Sequence, residues 1–365
     1  MDFDFTDDQL ALRDAATALL DDLAAPARVR ALTESDAMYD QSLWAALVDQ
    51  GWLQVDAAES AGGLGLGSVE VAILLEALGA HAAPVPYRST MLAAAVLEAA
   101  EPGASVDQRP GERIVAIAWS RQPAAVRAHV AGGVWTLTGR PDPTIDAPIA
   151  HDAIVLAIDE AEEIGVFHVE LGPNGHTGAP AREPAIDVTR AIGWFRFDAT
   201  PATRLGGSAL ADFLIDRGAT YASAEMLGGA QAVLDRSVEY AKERTQFGKP
   251  IGSFQAVKHR CADMLVDVEG MRSSVYWAAW AIGAADPEAS IAASTAKVWC
   301  SDASKRVMGS ALQVHGGIGF TWEHDLHFFL KRAQSDQLSF GTASDHRARL
   351  GTMLRTKVDA GASVV

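Results

Sequence analysis

The sequence has few of the residues that mark disulfide-rich, metal-binding or membrane-spanning proteins. Its two cysteines, Cys261 and Cys300, are too few for a disulfide framework or a cysteine-based metal cluster. No apolar run reaches the length of a membrane span. The first ten residues, MDFDFTDDQL, lack the basic and then apolar pattern of a signal peptide. We therefore expect a cytoplasmic protein without a membrane partner.

Positive charge is also scarce. The chain has 30 Lys and Arg against 47 Asp and Glu, which gives a formal net charge of −17. This balance argues against a nucleic-acid partner, because a phosphate backbone needs a basic surface. An anionic small molecule would need a local basic site against the overall field. The 49% hydrophobic content is that of an ordinary globular protein, and the 365-residue length suggests one large domain or two to three smaller ones.

The periodicity of apolar residues divides the chain into three segments. Residues 1–111 have helical spacing, beginning with a run that Thr6 caps, and residues 206–365 have it again. Residues 112–205 contain short β-branched and aromatic runs separated by Gly, Pro and Asp, which predicts a small antiparallel sheet or barrel. Strands do not alternate with helices, so a Rossmann domain is not expected. The fold class is mostly α with a middle β-domain.

The first polar cluster is ERTQFGKPIGSFQ. Arg244, Thr245 and Gln246 follow a predicted helix, and Gln255 begins the next one. A guanidinium fork with neighbouring neutral donors suits a phosphate or diphosphate. The alternative is an ordinary helix end with a Gly/Pro stop.

The second cluster is QVHGGIGFTWEHDLH. Its glycine pair, Gly316 and Gly317, lets a ligand approach the backbone closely. A metal site formed by the histidines and Glu323 is not favoured, because their spacing matches no metal-binding motif. Cys300 is expected to lie in a helix core rather than to act as a nucleophile.

Together these stretches resemble the acyl-CoA dehydrogenase family. The resemblance includes YAKERTQFGKPIGSFQAVKHRCADM, LQVHGGIGFTWE and the terminal FGT, and the N-terminal stretches FTDDQLALRD, LWAALVDQGWL and GGLGLGSVEVAILLEALG. It implies a helical N-domain (1–111), a small β-barrel or sheet domain (112–205) and a C-terminal four-helix bundle (206–365). It also implies FAD, an acyl-CoA substrate that undergoes α,β-desaturation, a dimer or tetramer, and an electron-transfer flavoprotein as electron acceptor.

The resemblance also implies the roles of individual residues. Substrate contacts fall on Asp216 and Gly341. Cofactor contacts fall on two groups of positions in the C-terminal segment: Arg244, Thr245, Gln246, Phe254 and Gln255, and then Gln313, Val314, His315, Gly316, Gly317, Thr342, Ala343 and Ser344. In the family these groups commonly reach FAD that is held mainly by the neighbouring subunit.

The family's catalytic carboxylate is missing from its usual position. Counting from Gly316–Gly317 without an insertion places Phe340 there, and a phenyl ring cannot accept a proton. The alternative position used by some relatives is Gly218. Glu225 lies two turns further along and is a weak candidate for a relocated base; a helix cap or a salt bridge at the core edge is the alternative role for it.

The β-domain departs from the family pattern as well. The family loop that contacts the flavin ring is replaced by AWSRQPAAVRAH, and the following Trp-Ile-Thr/Ser stretch is replaced by RPDPTID. The residues expected on the adenosine side of FAD match the family pattern, whereas those expected beside the flavin ring do not.

Three hypotheses follow from this division. The first is that the chain is the subunit of an α2β2 acyl-CoA dehydrogenase that lacks the base and binds the partner's FAD, with a bulky steroid-type side-chain thioester as substrate. The second is a self-sufficient homo-oligomer with a relocated base such as Glu225. The third is a non-catalytic binding or scaffold homologue.

Overall fold

The computed structural model describes residues 4–101, 111–172 and 178–361. These residues group into two compact units. The first unit contains the described residues of Met1–Ala31, Ser68–Ala83 and Ala219–Val365. The second contains the described residues of Leu32–Gly67 and Pro84–Gly218.

The described residues form these α-helices: α1 (Asp7–Leu23), α2 (Pro26–Thr33), α3 (Gln41–Asp49), α4 (Ser68–Ala80), α5 (Tyr87–Ala100), α6 (Ser208–Glu243), α7 (Gln255–Gly283), α8 (Ala289–His315), α9 (Leu326–Leu338) and α10 (Ala343–Asp359). Their strands are β1 (Val115–Ala118), β2 (Val126–Ala131), β3 (Val134–Gly139), β4 (Thr144–Ile145), β5 (Asp152–Ile158), β6 (Ile164–Glu170), β7 (Ile192–Gly193), β8 (Phe197–Gly206), β9 (Thr245–Gln246) and β10 (Lys249–Pro250).

The first helix begins where the sequence predicts. The Thr6 hydroxyl accepts the Gln9 amide at 3.2 Å, and the Gln9 side-chain oxygen accepts the Thr6 amide at 3.0 Å. This reciprocal cap satisfies two amide groups that the first helical turn leaves without partners. The predicted capping role of Thr6 is confirmed.

The middle segment forms a small barrel. Strand β5 pairs with β2 and β6, β2 with β3, β3 with β8, and β8 with β6, so five strands close into a ring, and β1 extends it beside β5. The interior is filled by apolar side chains such as Leu137, Val155 and Phe167. The predicted middle β-domain between helical segments is confirmed.

The strand directions differ from the prediction. Strand β5 runs parallel to β1 and to β2, whereas we predict an antiparallel arrangement. The β2–β3 hairpin and the short β4 separate β1 from β5, so the chain re-enters the sheet in its original direction. Short apolar runs specify that strands form but not which distant strand they join. The antiparallel prediction is therefore wrong for these two pairings.

A buried carboxylate on β5 connects the residues before β1 with strand β6. Asp152 is fully buried, accepts two hydrogen bonds from Arg113 at 2.6 and 2.7 Å, and lies 3.1 Å from His168 Nε2. Burial alone would raise the pKa of Asp152, but the hydrogen bonds from His168 and Arg113 outweigh it and lower the pKa. The pairing therefore stabilises the fold above the unfolded pKa near 4 and is lost as the pH falls through the lower folded value.

Asp152→Asn is expected to lower the free energy of unfolding at pH 7 by about 3 kcal/mol, because it leaves two donors around a weaker acceptor. Urea unfolding measures this change. The matched control is Glu162→Gln, which removes the exposed ion pair to Arg127 and should cost under about 0.5 kcal/mol. Equal effects of the two substitutions would contradict the special role of the buried group.

The C-terminal segment is helical, as predicted. Helix α8 packs against α7, α9 and α10, and α4 from the N-terminal part of the sequence packs against α1 and α7. Cys300 lies in the interior of α8, fully buried, and burial raises the pKa of its thiol to about 12. This confirms its prediction as a core residue. Across the described ranges no helix is long and apolar enough to cross a membrane. The boundaries at 111 and 205 stay a prediction.

Candidate cofactor-binding and active-site residues

The predicted phosphate-binding cluster forms an exposed hairpin. Helix α6 ends at Glu243, Arg244 follows, and β9 and β10 pair around a turn in which Phe247 has φ +52° and Gly248 φ +77°. Two successive left-handed residues make the tight turn that a two-residue hairpin requires. The turn leaves the Phe247 ring 90% exposed. An apolar ring so fully exposed on a hairpin is available to a ligand or another chain.

Four polar side chains of this region have no competing partners within the described part of the chain, whereas the Thr245 hydroxyl lies 3.5 Å from the Glu243 carbonyl. Arg244, Gln246, Gln255 and Gln313 are all exposed, and their side chains make no hydrogen bond or ion pair with other described residues. The ammonium of Lys249 lies 4.5 Å from the centre of the Phe254 ring, which keeps a second cation at the hairpin. A spare guanidinium fork with uncommitted amides fits the diphosphate and adenosine of FAD.

Stacked rings bring the two predicted clusters together. Tyr240, in the last turn of α6, stacks on His315, the last residue of α8, with ring centres 4.6 Å apart. The ends of α6 and α8 are therefore adjacent, so Arg244 and the Gln313–Gly317 stretch belong to one region. The sequence reasoning missed Tyr240; the only signal for it is its position four residues before Arg244.

His315 itself is held by the protein. It is 4% exposed, and its Nδ1 lies 2.9 Å from the Ala311 carbonyl, to which it donates. Burial lowers its pKa and so favours the neutral ring. Val314 is buried beside it, whereas Gly316, with φ +62°, and Gly317 turn the chain outward. The cofactor roles of these residues stay predictions, with Gly316 and Gly317 better placed for contact than His315. Among the described residues no group of three or more His, Cys, Asp or Glu is arranged to hold a metal ion.

The predicted base position, Phe340, lies in a strained corner between α9 and α10. Phe340 has φ +57°, the left-handed region that bulky residues rarely adopt, and it is 8% exposed. Gly341 follows with φ +104°. The corner therefore presents a buried phenyl ring, which can neither take up nor release a proton.

The candidate for a relocated base, Glu225, and the predicted substrate contact Asp216 both lie on α6. Glu225 is in the middle of this helix, 5% exposed, so a helix-capping role for it is wrong. Asp216, the predicted substrate contact, is 7% exposed and lies in the third turn of the same helix. Its neighbour Arg217 pairs with Asp56 at 3.3 Å. The roles of Asp216 and Gly341 toward a substrate stay predictions.

The residues predicted to contact cofactor after the corner begin α10. Thr342 is the N-cap: its hydroxyl donates to the Asp345 carboxylate at 2.8 Å and accepts the Asp345 amide at 3.3 Å. Its own amide donates to the same carboxylate at 2.9 Å. Thr342 is thus largely committed to capping, while Ser344 is exposed and its hydroxyl makes no hydrogen bond to any residue that the structure describes. Of the three predicted contacts here, Ser344 has the most freedom to bind a ligand, and Ala343 can offer only its backbone.

The two divergent loops of the β-domain bind each other. The Ser120 hydroxyl accepts the Asp142 amide at 2.8 Å, and the Asp142 carboxylate accepts the Arg121 amide at 2.9 Å. The Arg140 amide donates to the Ala125 carbonyl at 3.0 Å. These hydrogen bonds join the two loops to each other.

A buried histidine, which the sequence analysis did not identify, forms a hydrogen bond to the backbone of the Phe340 corner. His346 on α10 is 2% exposed, with Nε2 2.8 Å from the Phe340 carbonyl and Nδ1 3.1 Å from the Ser294 hydroxyl. Burial lowers its pKa to about 4, and the nearby Lys297 and Arg349 act in the same direction. No local pattern in the sequence joins positions 294, 340 and 346.

A buried neutral histidine makes stability depend on pH. Its folded pKa of about 4 lies below the unfolded value of 6.5, so its contribution is complete above pH 6.5 and falls as the pH drops toward 4. Between pH 7 and pH 4.5 we expect a loss of about 2 kcal/mol from this group. Urea unfolding at both pH values should show a smaller loss in His346→Gln, which does not titrate. An identical loss in both proteins would contradict the assignment.

Comparison with known proteins agrees with this architecture. Residues 6–102 match the model of the acyl-CoA dehydrogenase N-terminal domain, and residues 207–354 match that of the acyl-CoA dehydrogenase C-terminal domain. Acyl-CoA dehydrogenase FadE27 of Mycobacterium tuberculosis is 31% identical over 97% of this chain and 99% of its own length.

Two solved structures are similar over nearly the whole chain. The ChsE4–ChsE5 complex from Mycobacterium tuberculosis contains a chain that is 31% identical, with a TM-score of 0.88 and coverage of 97% of this chain and 99% of that one. A variant of the steroid acyl-CoA dehydrogenase Tcur3481–Tcur3483 matches at 30% identity and a TM-score of 0.86, covering 96% and 99%. The helical fold with its middle β-domain, the Arg244 and Gly316–Gly317 clusters and these full-length similarities lead to one conclusion: the chain belongs to the acyl-CoA dehydrogenase family of oxidoreductases.

Proposed function

We propose that this chain is the subunit of a heteromeric, α2β2 acyl-CoA dehydrogenase that lacks the catalytic base and helps to bind FAD shared with its partner. The observation that carries the proposal is the buried Phe340 in the corner where the family has a carboxylate. Only the group that reacts with the substrate would be missing. The side chains of Arg244, Gln246, Gln255 and Gln313 are exposed and make no hydrogen bond to other described residues, so they are available to the cofactor.

The residues at the hairpin would hold the diphosphate and adenosine of FAD. The Arg244 guanidinium would donate two parallel hydrogen bonds to phosphate oxygens, while the amides of Gln246, Gln255 and Gln313 would supply neutral hydrogen bonds. When bound, FAD accepts a hydride from the acyl-CoA thioester. The carboxylate that takes the α-proton would come from the partner, and the electrons would leave to an electron-transfer flavoprotein.

The similar structures support a heteromer and suggest a substrate class. One of them is a complex of two differently named chains, ChsE4 and ChsE5, and the other is called a steroid acyl-CoA dehydrogenase. A bulky steroid-type side-chain thioester is accordingly the substrate that we propose.

Co-expression tests this proposal. The chain is expressed alone and together with the nearest acyl-CoA dehydrogenase-like gene, and the flavin spectrum and native mass of each product are recorded. Flavin and a mixed tetramer that appear only on co-expression are the expected result. Loss of turnover when the partner's carboxylate is neutralised would assign the base to the partner.

A yellow homo-oligomer that reduces its flavin with an acyl-CoA would contradict the proposal and favour a relocated base. Glu225→Gln then becomes the next test. A colourless and stable homo-oligomer, with no mixed species on co-expression, would favour a non-catalytic homologue.

A further inference from the structure

Several contacts hold the Phe340 corner in its conformation. A left-handed conformation at a phenylalanine is unfavourable and persists only where the surroundings impose it. Gly341 makes one such contact possible, since a Cβ there would lie 3.0 Å from Nε2 of His346. A side chain at position 341 would make the histidine shift by a few tenths of an ångström, so the glycine accommodates its close approach to the corner backbone.

The hydrogen bonds at His346 have a defined direction. The Phe340 carbonyl can only accept, so Nε2 of His346 carries the proton and donates. Nδ1 is then an acceptor and receives the Ser294 hydroxyl proton at 3.1 Å, while Arg349 donates to the Ser294 oxygen at 3.4 Å. The series of hydrogen bonds runs from Arg349 through Ser294 and His346 to the Phe340 carbonyl.

A buried cation, Lys297, lies on the other side of the corner. Lys297 on α8 is fully buried, and its ammonium donates to the backbone carbonyl of Asp336 in the last turn of α9. After the corner, the Thr342–Asp345 cap fixes the start of α10. The segment between the two helices is thus tied at its beginning, its centre and its end by side chains of α8 and α10.

We infer that His346 is a positioning residue that keeps the Phe340 ring in place as a plug, closing this chain's own acyl-thioester position. The inference rests on the proposed function, which makes position 340 the place where a base would meet the thioester. A corner that had only lost its carboxylate would need no dedicated support for a strained conformation. Here three buried polar residues maintain that strain around an 8% exposed ring.

Ligand stoichiometry tests the plug. The co-expressed complex is dialysed to equilibrium against octanoyl-CoA, and bound ligand is counted per pair of unlike chains. Wild type is expected to bind one equivalent, at the partner, and Phe340→Ala two. The matched control is Phe329→Ala, which removes an equally buried ring of α9 away from the corner and should leave one equivalent.

Variants of His346 separate positioning from general stability. His346→Leu removes both hydrogen bonds and should raise the bound ligand above one equivalent. His346→Gln can donate to the Phe340 carbonyl and accept from Ser294, so it should restore one equivalent. A purely structural role would alter the melting temperature in both variants and leave the stoichiometry at one in both.

Two outcomes would overturn the inference: two equivalents bound by wild type, or one equivalent bound by a cooperatively melting Phe340→Ala complex. If no mixed complex forms, the proposed function fails but the plug is still tested. The full chain alone is then dialysed in the same way, with no ligand expected for wild type and one equivalent for Phe340→Ala.

Discussion

Replacing Arg244 by alanine is expected to weaken FAD binding by the co-expressed complex about 10- to 100-fold. A charge-assisted hydrogen bond to a phosphate contributes about 1.5–3 kcal/mol, and the guanidinium fork makes two contacts in one geometry. In a chain with a net charge of −17, this cation also supplies local attraction that the rest of the surface opposes. Flavin retained after gel filtration, and the Kd from fluorescence titration, measure the effect.

The controls distinguish charge from geometry. Arg244→Lys keeps the charge but loses the planar fork, so we expect an intermediate affinity. Arg355→Gln removes an equally exposed arginine of α10 whose side chain bonds to no other described residue, and it should leave the flavin Kd unchanged. If Arg244→Ala and Arg355→Gln have the same affinity, Arg244 does not contact the cofactor.

The positions of the Arg244 cluster and of the Thr6 cap could be predicted because each is marked by residues that are close together in the sequence. The Arg244 cluster lies where a helical period ends in Gly and Pro, and the Thr6 cap lies directly before an amphipathic run. Each depends on residues within a few positions of one another, and the structure has both where they are expected. Phe340 could be located by counting from Gly317.

The remaining features depend on residues that are far apart in the chain. The parallel pairing of β1 with β5 joins segments about 35 residues apart, and periodicity carries no information about strand partners. The support of Phe340 involves Ser294 on α8, His346 on α10 and the corner between α9 and α10. In the sequence, this serine and this histidine belong to no recognisable motif. The left-handed φ of Phe340 is hidden for the same reason, because propensity alone would place glycine there.

Gly228→Ala is expected to destabilise the protein severely, by about 3 kcal/mol or more. A Cβ built on Gly228 of α6 would lie 1.8 Å from the backbone oxygen of Glu76 on α4. The reciprocal contact is also too close for a side chain, because a Cβ on Gly79 would lie 2.2 Å from the Glu225 backbone oxygen. Backbone atoms cannot turn away as a side chain can, so the two helices would have to separate.

Separation of the helices would also break a polar network beside the crossing. The Glu76 carboxylate accepts hydrogen bonds from Arg272 and from Tyr276 on α7, both at 2.5 Å, and Arg272 donates to Gln231 on α6 at 2.8 Å. These partially buried groups would lose their partners together with the apolar contacts around the glycines. The cost of the extra methyl group therefore exceeds that of an ordinary overpacked core.

Thermal unfolding measures this difference against a control of the same chemistry. We expect the melting temperature of Gly228→Ala to fall by roughly 10 °C. Gly309→Ala places the same methyl group on the exposed face of α8, where nothing lies within 4 Å of the new Cβ, and should be neutral or stabilising by up to about 1 kcal/mol because alanine favours the helix. If Gly228→Ala and Gly309→Ala have the same melting temperature, the α4–α6 crossing has room for a side chain. The close backbone contacts at Gly79 and Gly228 then do not determine how α4 packs against α6.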